Sequence, residues 1–469
     1  MRARATRNLS LEEMDKQSLL HPSTSFADHA KGTPRIIETA RGITIVEKGG
    51  KEYLDAFGGL YCVNIGYGRT EVADAIYAQA KKLAYYHAYA SHSNEPAIRL
   101  ADRVIGLAPA NMAKVYFGLS GSDANETNVK LAWYYNNLRG KTGKTTIISR
   151  QRAYHGSTVF AGSLTGLPVF HKYFSLPVGP VIHVSTPHHY WGAEPGMSER
   201  QFSRKLADEL DRRIEKEGPE TVAAFIGEPV MGTGGILIPP EGYWDEVQKV
   251  LKKHDVLLIA DEVVCGFGRL GAMWGSEVYG IEPDFITIAK GLTSAYLPLS
   301  GAIVSEKICQ VILERSAEIG PLGHGYTYSA HPVSAAAALA NLDILEREDL
   351  VGNAKRVGAY FQERLSATFA GHPLVGEVRG VGLLAAVEFV ADKKRKVAFE
   401  PKLRVAGRVS AAGYAEGVIA RAMPNGDSLA FSPPLSITKA EADEVIARTK
   451  RATDKVTDEL VRERLWKAA

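Results

Sequence analysis

Two apolar runs in this chain end on charged residues that could do chemistry together. Leu257-Leu258-Ile259-Ala260-Asp261-Glu262 ends on an acid, and Ile286-Thr287-Ile288-Ala289-Lys290-Gly291 on an amine. In parallel sheets ligands bind beyond the carboxyl ends of the strands, so both charges should face one crevice. A lysine whose neutral form is favoured by apolar or cationic surroundings serves as nucleophile and base. Either residue alone fits a strand's return to solvent equally well. Gly291 permits close backbone approach, however, and Val263-Val264 keeps the segment beyond Asp261 partly apolar. The pair therefore fits an acid and an amine placed around one cofactor.

Three further motifs sit at similar junctions. Gly118-Leu119-Ser120-Gly121-Ser122-Asp123-Ala124-Asn125 lies between a strand candidate and an amphipathic helix. Small residues there leave N–H groups free to hold a phosphate at the positive end of the helix, although Ser-Gly-Ser is also an ordinary N-cap. Tyr154-His155-Gly156 could stack an aromatic ring over a flat cofactor, or simply pack near a turn. Ile226-Gly227-Glu228-Pro229-Val230 is another strand ending in an acid.

The elements that must carry these motifs follow from the apolar pattern. Strand candidates are Lys114–Phe117, Thr145–Ser149, Ala223–Glu228, Val256–Asp261, Phe285–Ala289 and Gly301–Val304, separated by helix-length stretches such as Ala124–Leu138, Gln201–Lys216 and Tyr243–His254. Short apolar strands alternating with helices imply a parallel sheet covered on both faces. Near the start, Ser10-Leu11-Glu12-Glu13 reads as a capping box. Ile43–Val46, Gly49-Gly50 and Tyr53–Asp55 suggest a small hairpin. After Pro332 come an Ala-rich helix over Val333–Leu345 and a charged helix through Arg364. A strand at Gly380–Phe389 and another at Leu429–Phe431 follow. The expected division is an N-terminal segment, 1–69, joining a small α+β domain at 333–469, with a large domain at 70–332 between them.

Composition excludes several classes. The 469 residues are 45% hydrophobic and 23% charged, with 56 Lys plus Arg against 53 Asp plus Glu. So small an excess gives no reason to expect nucleic acid or a membrane surface as partner. No apolar run approaches the roughly 18 residues of a membrane helix, and no signal-peptide segment follows the basic start. Cys62, Cys265 and Cys309 are odd in number and far apart. They argue against a disulfide framework and for a reducing cytoplasm. His188 and His189, in a Pro-rich stretch, read as a solvated loop, and no metal site is expected.

Taken in order, Ser-Gly-Ser, Tyr-His-Gly, Gly-Glu-Pro, Asp-Glu-Val and Ala-Lys-Gly resemble the class III aminotransferases, a branch of the fold-type I pyridoxal-phosphate enzymes. The resemblance runs from about Leu20 to Ile437. It is nearest to the ω-amine:pyruvate transaminases, through Leu60-Tyr61-Cys62-Val63-Asn64-Ile65-Gly66-Tyr67-Gly68 and Tyr326-Thr327-Tyr328-Ser329-Ala330-His331-Pro332. It implies an α/β fold with a mostly parallel seven-stranded sheet and a smaller α+β domain, pyridoxal 5′-phosphate as cofactor, and a homodimer or larger assembly. It also assigns roles. Lys290 would hold the cofactor as a Schiff base and move the proton, and Asp261 would keep the pyridine nitrogen protonated so that the ring acts as an electron sink. Glu228 would orient Asp261, Val263 and Tyr154 would press on the two ring faces, and His155 would support the aspartate side. Ser120, Gly121 and Ser122 would hold the phosphate, with Thr327 reaching the phosphate of the neighbouring subunit.

For substrate, the resemblance makes Arg421 a mobile arginine that clasps a carboxylate and swings away for amines lacking one; its guanidinium fork suits two parallel hydrogen bonds. Pyruvate or a similar 2-oxo acid would be the acceptor. Tyr61 and Tyr89 would line the amine pocket, beside Tyr154. Several relatives carry Trp where this chain has Tyr61, which leaves the donor open among β-alanine, 4-aminobutyrate, taurine, polyamines and aralkyl amines. An aminomutase and a non-catalytic binding protein of the same fold are the alternatives.

Overall fold

The computed structural model describes residues 9–467. Its centre is a seven-stranded sheet in the order Met112–Gly118, Ser300–Ser305, Phe285–Ile288, Leu257–Asp261, Val222–Gly227, Thr146–Arg150, Val181–Val184. Ser300–Ser305 runs antiparallel to both neighbours, and the pairs from Phe285–Ile288 out to Val181–Val184 are parallel. The three strands Val222–Gly227, Leu257–Asp261 and Phe285–Ile288 are buried at every residue. Hydrophobic burial at both faces explains why they read as unbroken apolar runs. The six strand candidates all appear within two residues of their expected ends. The seventh, Val181–Val184, is a four-residue edge strand with His183 inside it and only Val184 buried. So short and polar a segment has no clear apolar signature.

The Gly121–Leu138 helix starts directly after the first strand and crosses the sheet, burying Val129, Leu131, Ala132 and Tyr135. On the other face, Glu199–Glu217 and Tyr243–Lys253 bury Phe202, Leu206, Leu210, Trp244, Val247 and Leu251 in one cluster. The N-terminal strands Ile37–Arg41, Thr44–Glu47 and Glu52–Asp55 form a second sheet whose last member is Val418–Ile419, running parallel to Glu52–Asp55. A third, antiparallel sheet contains Val375–Val381, Leu384–Phe389, Ser428–Phe431 and Arg421–Ala422.

Two expectations need correction. The strand expected at Gly380–Phe389 is the turn and second arm of a hairpin. Gly382, at φ 55°, reverses the chain between Val381 and Leu384. Apolar residues continue through the turn, which hid it. His188 is not solvated: it is 5% exposed, with Nε2 3.1 Å from Glu377 Oε2 and Nδ1 3.2 Å from Arg152 Nη1. Its burial pushes its pKa below the usual histidine value. His189 Nε2 lies 2.8 Å from the Met197 carbonyl.

Gly382 also marks a tight crossing. A Cβ there would stand 2.5 Å from the Leu270 carbonyl carbon and 2.7 Å from the Arg269 oxygen. Gly382→Ala is therefore expected to combine the left-handed backbone penalty with a backbone clash, costing about 2 kcal/mol or more. Chemical denaturation of the variant checks this, and an unchanged midpoint would refute it.

Candidate active site

Asp261 and Lys290 lie at the carboxyl ends of adjacent parallel strands, with Asp261 in register with Thr287. Asp261 is 3% exposed. Its Oδ2 accepts from Asn125 Nδ2 at 2.8 Å and lies 2.8 Å from His155 Nδ1, while Oδ1 accepts from Val263 N at 3.1 Å. Oδ1 thus keeps a lone pair for another donor. Asn125 is itself fixed: its Nδ2 donates to the His155 carbonyl, and its Oδ1 accepts from Thr287 Oγ1 at 2.7 Å. Asn128 Nδ2 donates in turn to Thr287 Oγ1. This buried chain sets the amide of Asn125 in one orientation. Asn125, Asn128 and Thr287 carried no expectation of a role. The available signal was polar residues on the buried face of a helix and inside an otherwise apolar strand.

Glu228 does not bond Asp261. Its Oε1 accepts from Tyr154 N at 3.2 Å and Oε2 from Gly232 N at 2.8 Å, so it holds the turn that presents Tyr154. Burial raises its pKa, and the nearby Asp261 charge adds to that shift. Glu262, next to Asp261, faces away from the crevice. Its carboxylate accepts from the N–H groups of Gly275 and Ser276 and from the Ser276 hydroxyl.

Ser120 caps the Gly121–Leu138 helix, its hydroxyl accepting from Asp123 N, while Asp123 takes the N–H groups of Leu119 and Ser120. Gly121 N and Ser122 N have no acceptor among the described residues. Ser122 Oγ accepts from Ser157 N at 3.1 Å. A Cβ on Gly121 would stand 3.1 Å from Val263 Cγ2. The cap and the phosphate reading are therefore compatible. The cap consumes Ser120's lone pair and leaves two N–H groups and two hydroxyl protons at the positive end of an 18-residue helix.

Lys290 sits at φ 41°, a strained conformation for a side chain of its size. Its surroundings are locked by distant residues. Asn64 Nδ2 would stand 2.5 Å from a Cβ on Gly291. Ser294 Oγ accepts from Ile65 N, and Asn341 Nδ2 donates to the carbonyls of Gly291 and Leu292. Lys290 Nζ lies 5.7 Å from the centre of the Tyr61 ring. Tyr61 is buried, packs against Phe57 with ring centres 4.4 Å apart and planes tilted at 58°, and directs its hydroxyl to Met423 Sδ at 3.9 Å. Burial drives the Tyr61 hydroxyl pKa well upward, so it stays protonated. Arg421 stands 5.6 Å from the Phe57 ring centre and forms no salt bridge among the described residues. It lines, with Gly156, Ser157, Phe170 and Met423, a cavity of about 1340 Å³.

Tyr89 and Thr327 belong to a different neighbourhood. Both are exposed, the Tyr89 hydroxyl lies against Gly325, and Tyr85 donates to the Thr327 carbonyl. Tyr154, bonded to Ser157 Oγ at 3.0 Å, packs edge-on to Phe170 at the crevice.

Comparison with known proteins decides the family. Residues 25–453 match the family model for class III aminotransferases. The chain belongs to the class III aminotransferases. It is 56% identical to the diaminobutyrate–2-oxoglutarate transaminase of Halomonas elongata, over 99% of this chain and all of that one. It is 42% identical to the chloroplastic γ-aminobutyrate transaminase 3 of Solanum lycopersicum, over 92% of this chain and 83% of that one. The ω-transaminase of Pseudomonas jessenii, solved in complex with PMP, superposes with a TM-score of 0.94 at 44% identity, covering 96% of this chain and 99% of that one. As a class III aminotransferase the protein uses pyridoxal 5′-phosphate. The donor set fits that group: N–H and hydroxyl donors for a phosphate, an acceptor lone pair on Asp261 for a ring N–H, and an amine on Lys290.

Burial pushes the Glu262 carboxyl up to about 7. Because its folded pKa is raised, its contribution to stability is full below the usual glutamate pKa and is lost as pH rises through about 7. Between pH 4.5 and 8, wild-type stability should therefore fall relative to Glu262→Gln, whatever the offset between the two. Denaturation midpoints at several pH values test this; parallel pH profiles would contradict it.

Proposed function

We propose that this class III aminotransferase carries an amino group from a primary amine or ω-amino acid to pyruvate or a similar 2-oxo acid, in two half-reactions that share one site. The observation that carries this reading is Arg421, which has no salt-bridge partner among the described residues and is a cation available to a carboxylate. It lies over Phe57, the ring that meets Tyr61, whose own ring is 5.7 Å from Lys290 Nζ. Bound pyridoxal phosphate supplies an aldehyde that takes up the amino group and a ring that draws electron density from the reacting carbon. Asp261, whose Oδ2 is fixed by Asn125 and His155, would hold the ring N–H of that group and keep it protonated. Lys290 Nζ, the amine at this crevice, would take the proton from the donor carbon and return it to complete the half-reaction. Gly121, Ser122 and Ser120 would hold the phosphate and Val263 and Tyr154 would pack against the ring, with Glu228 holding the backbone N–H of Tyr154.

The exposed positions of Tyr89 and Thr327 support a homodimer in which both complete the neighbouring subunit's site. The exposed aromatic residues around them, Tyr85, Tyr86 and Tyr328, are 36%, 45% and 55% exposed and would be covered there. Division of the chain into a large unit at 70–332 and a small one formed by 1–69 with 333–469 would let substrate enter between them. Tyr61 stands where a hydroxyl-bearing ring, kept neutral, can meet a polar amine. The 2-oxoglutarate in the name of the Halomonas elongata relative makes that acid the natural competitor to pyruvate as acceptor.

Initial rates at varied amine and 2-oxo acid should give parallel double-reciprocal lines, as one site serves both substrates in turn; intersecting lines would refute the shared-site scheme. Arg421→Ala should raise KM for the 2-oxo acid by about 10- to 100-fold, the worth of a charged hydrogen bond. KM for an amine lacking a carboxylate should barely change. An equal rise for both would remove Arg421 from the role. Asp261→Asn, similar in size but uncharged, should lower kcat by about 10²- to 10³-fold, and Lys290→Ala should fail to complete a half-reaction in stopped-flow absorbance.

A further inference from the structure

The N-terminal helices Leu11–Ser18 and Phe26–Lys31 contain no buried residue, and they are eight and six residues long. Helices this short do not persist in water unless something outside their own hydrogen bonds holds them. Yet the segment lies against the large cavity, where His21, Pro22, Ser23, Thr24 and Phe26 form part of the wall. Its salt bridge to the body, Lys48 Nζ to Glu12 Oε1 at 3.0 Å, is half-exposed and worth little.

Inside the segment three side chains converge. His21 Nε2 lies 2.9 Å and 3.1 Å from the two oxygens of Asp15, and His29 Nε2 lies 2.9 Å from Asp15 Oδ1. The imidazole centroids are 4.5 Å apart at 51°. The side chains of His29 and Asp15 are only 14% and 16% exposed. His29 Nε2 is buried and, despite its proximity to Oδ1, makes no hydrogen bond. One donor atom from each of the three residues lies within 4.8 Å of the other two.

We infer that Asp15, His21 and His29 form a zinc site that clasps the two N-terminal helices together against the large cavity. Two neutral imidazoles and one carboxylate suit zinc, leaving a fourth position for water, and the hard-oxygen cations calcium and magnesium are disfavoured by the nitrogens. The second acid–histidine group, Asp211, Glu215 and His254, does not qualify, because Lys253 already occupies it with contacts of 2.8 Å and 3.2 Å to the two acids. The spacing Asp15, His21, His29 matches no familiar ligand motif, because the turn at Pro22-Ser23 between the two helices is what folds the ligands together.

The test uses the full-length, pyridoxal-phosphate-saturated enzyme, stripped of metal and of loose cofactor, titrated with zinc chloride in a calorimeter. One zinc per chain is expected, with a Kd on the order of micromolar or tighter at pH 7.5 and much weaker binding at pH 5.5, where protons compete for the imidazoles. Asp15→Asn and His29→Ala should each weaken binding by about 100-fold or more, and His21→Ala/His29→Ala should abolish it, while Asp211→Asn should bind as wild type. Trypsin cleavage within residues 9–32 should slow with zinc in the wild type and not in the double variant. Equal zinc affinity in the double variant, or no binding by the wild type, overturns the site. Binding without protection from trypsin overturns the clasp.

Discussion

The carboxylate of Asp261 is the constraint on which this structure depends. A charge buried to 3% exposure is costly unless donors surround it. Here an amide, an imidazole and a backbone N–H come from three separate stretches of chain. Each donor is itself held: Asn125 by Thr287, His155 through its backbone N–H to Thr165 Oγ1, and Val263 by the chain's turn out of the strand. The helix capped by Ser120, the strand that leads to Lys290 and the turn that bears Tyr154 are therefore tied to one another through one acid.

Lys290 is held in a complementary way. Among the described residues nothing bonds its amine directly, but its backbone is strained, and the residues just after it are held by Asn64 and Ile65, more than 200 residues away in sequence, and by Asn341, about 50 residues away. The same N-terminal stretch carries Tyr61, whose neighbours Leu60 and Gly59 also have positive φ. Local strain thus gathers where the reacting groups meet, sustained by contacts that over-determine the backbone. Arg421 stands on a two-residue strand at the edge of the third sheet, its guanidinium over the Phe57 ring.

Much of this was legible in the residues. The alternation of apolar strands and helices, and the charged residues closing two of those strands, follow from the need to bury both faces of a parallel sheet and to solvate its ends. The ordered motifs led to the family that the comparisons show. The hairpin at Gly382 and the edge strand Val181–Val184 were hidden because a buried turn keeps its apolar pattern and a short edge strand has none.

The sequence by itself determined the parallel core, the family and the pair Lys290 and Asp261, because those depend on residue type and near-neighbour spacing. Only the tertiary structure decided which groups touch. It gave Asp261 to Asn125 and His155 and turned Glu228 toward Tyr154. It buried His188 against Glu377, and it drew Asp15, His21 and His29 to one point. Hydrogen bonds between side chains far apart in the chain are set by how elements pack, and pairings of that range leave no periodic trace in a single sequence.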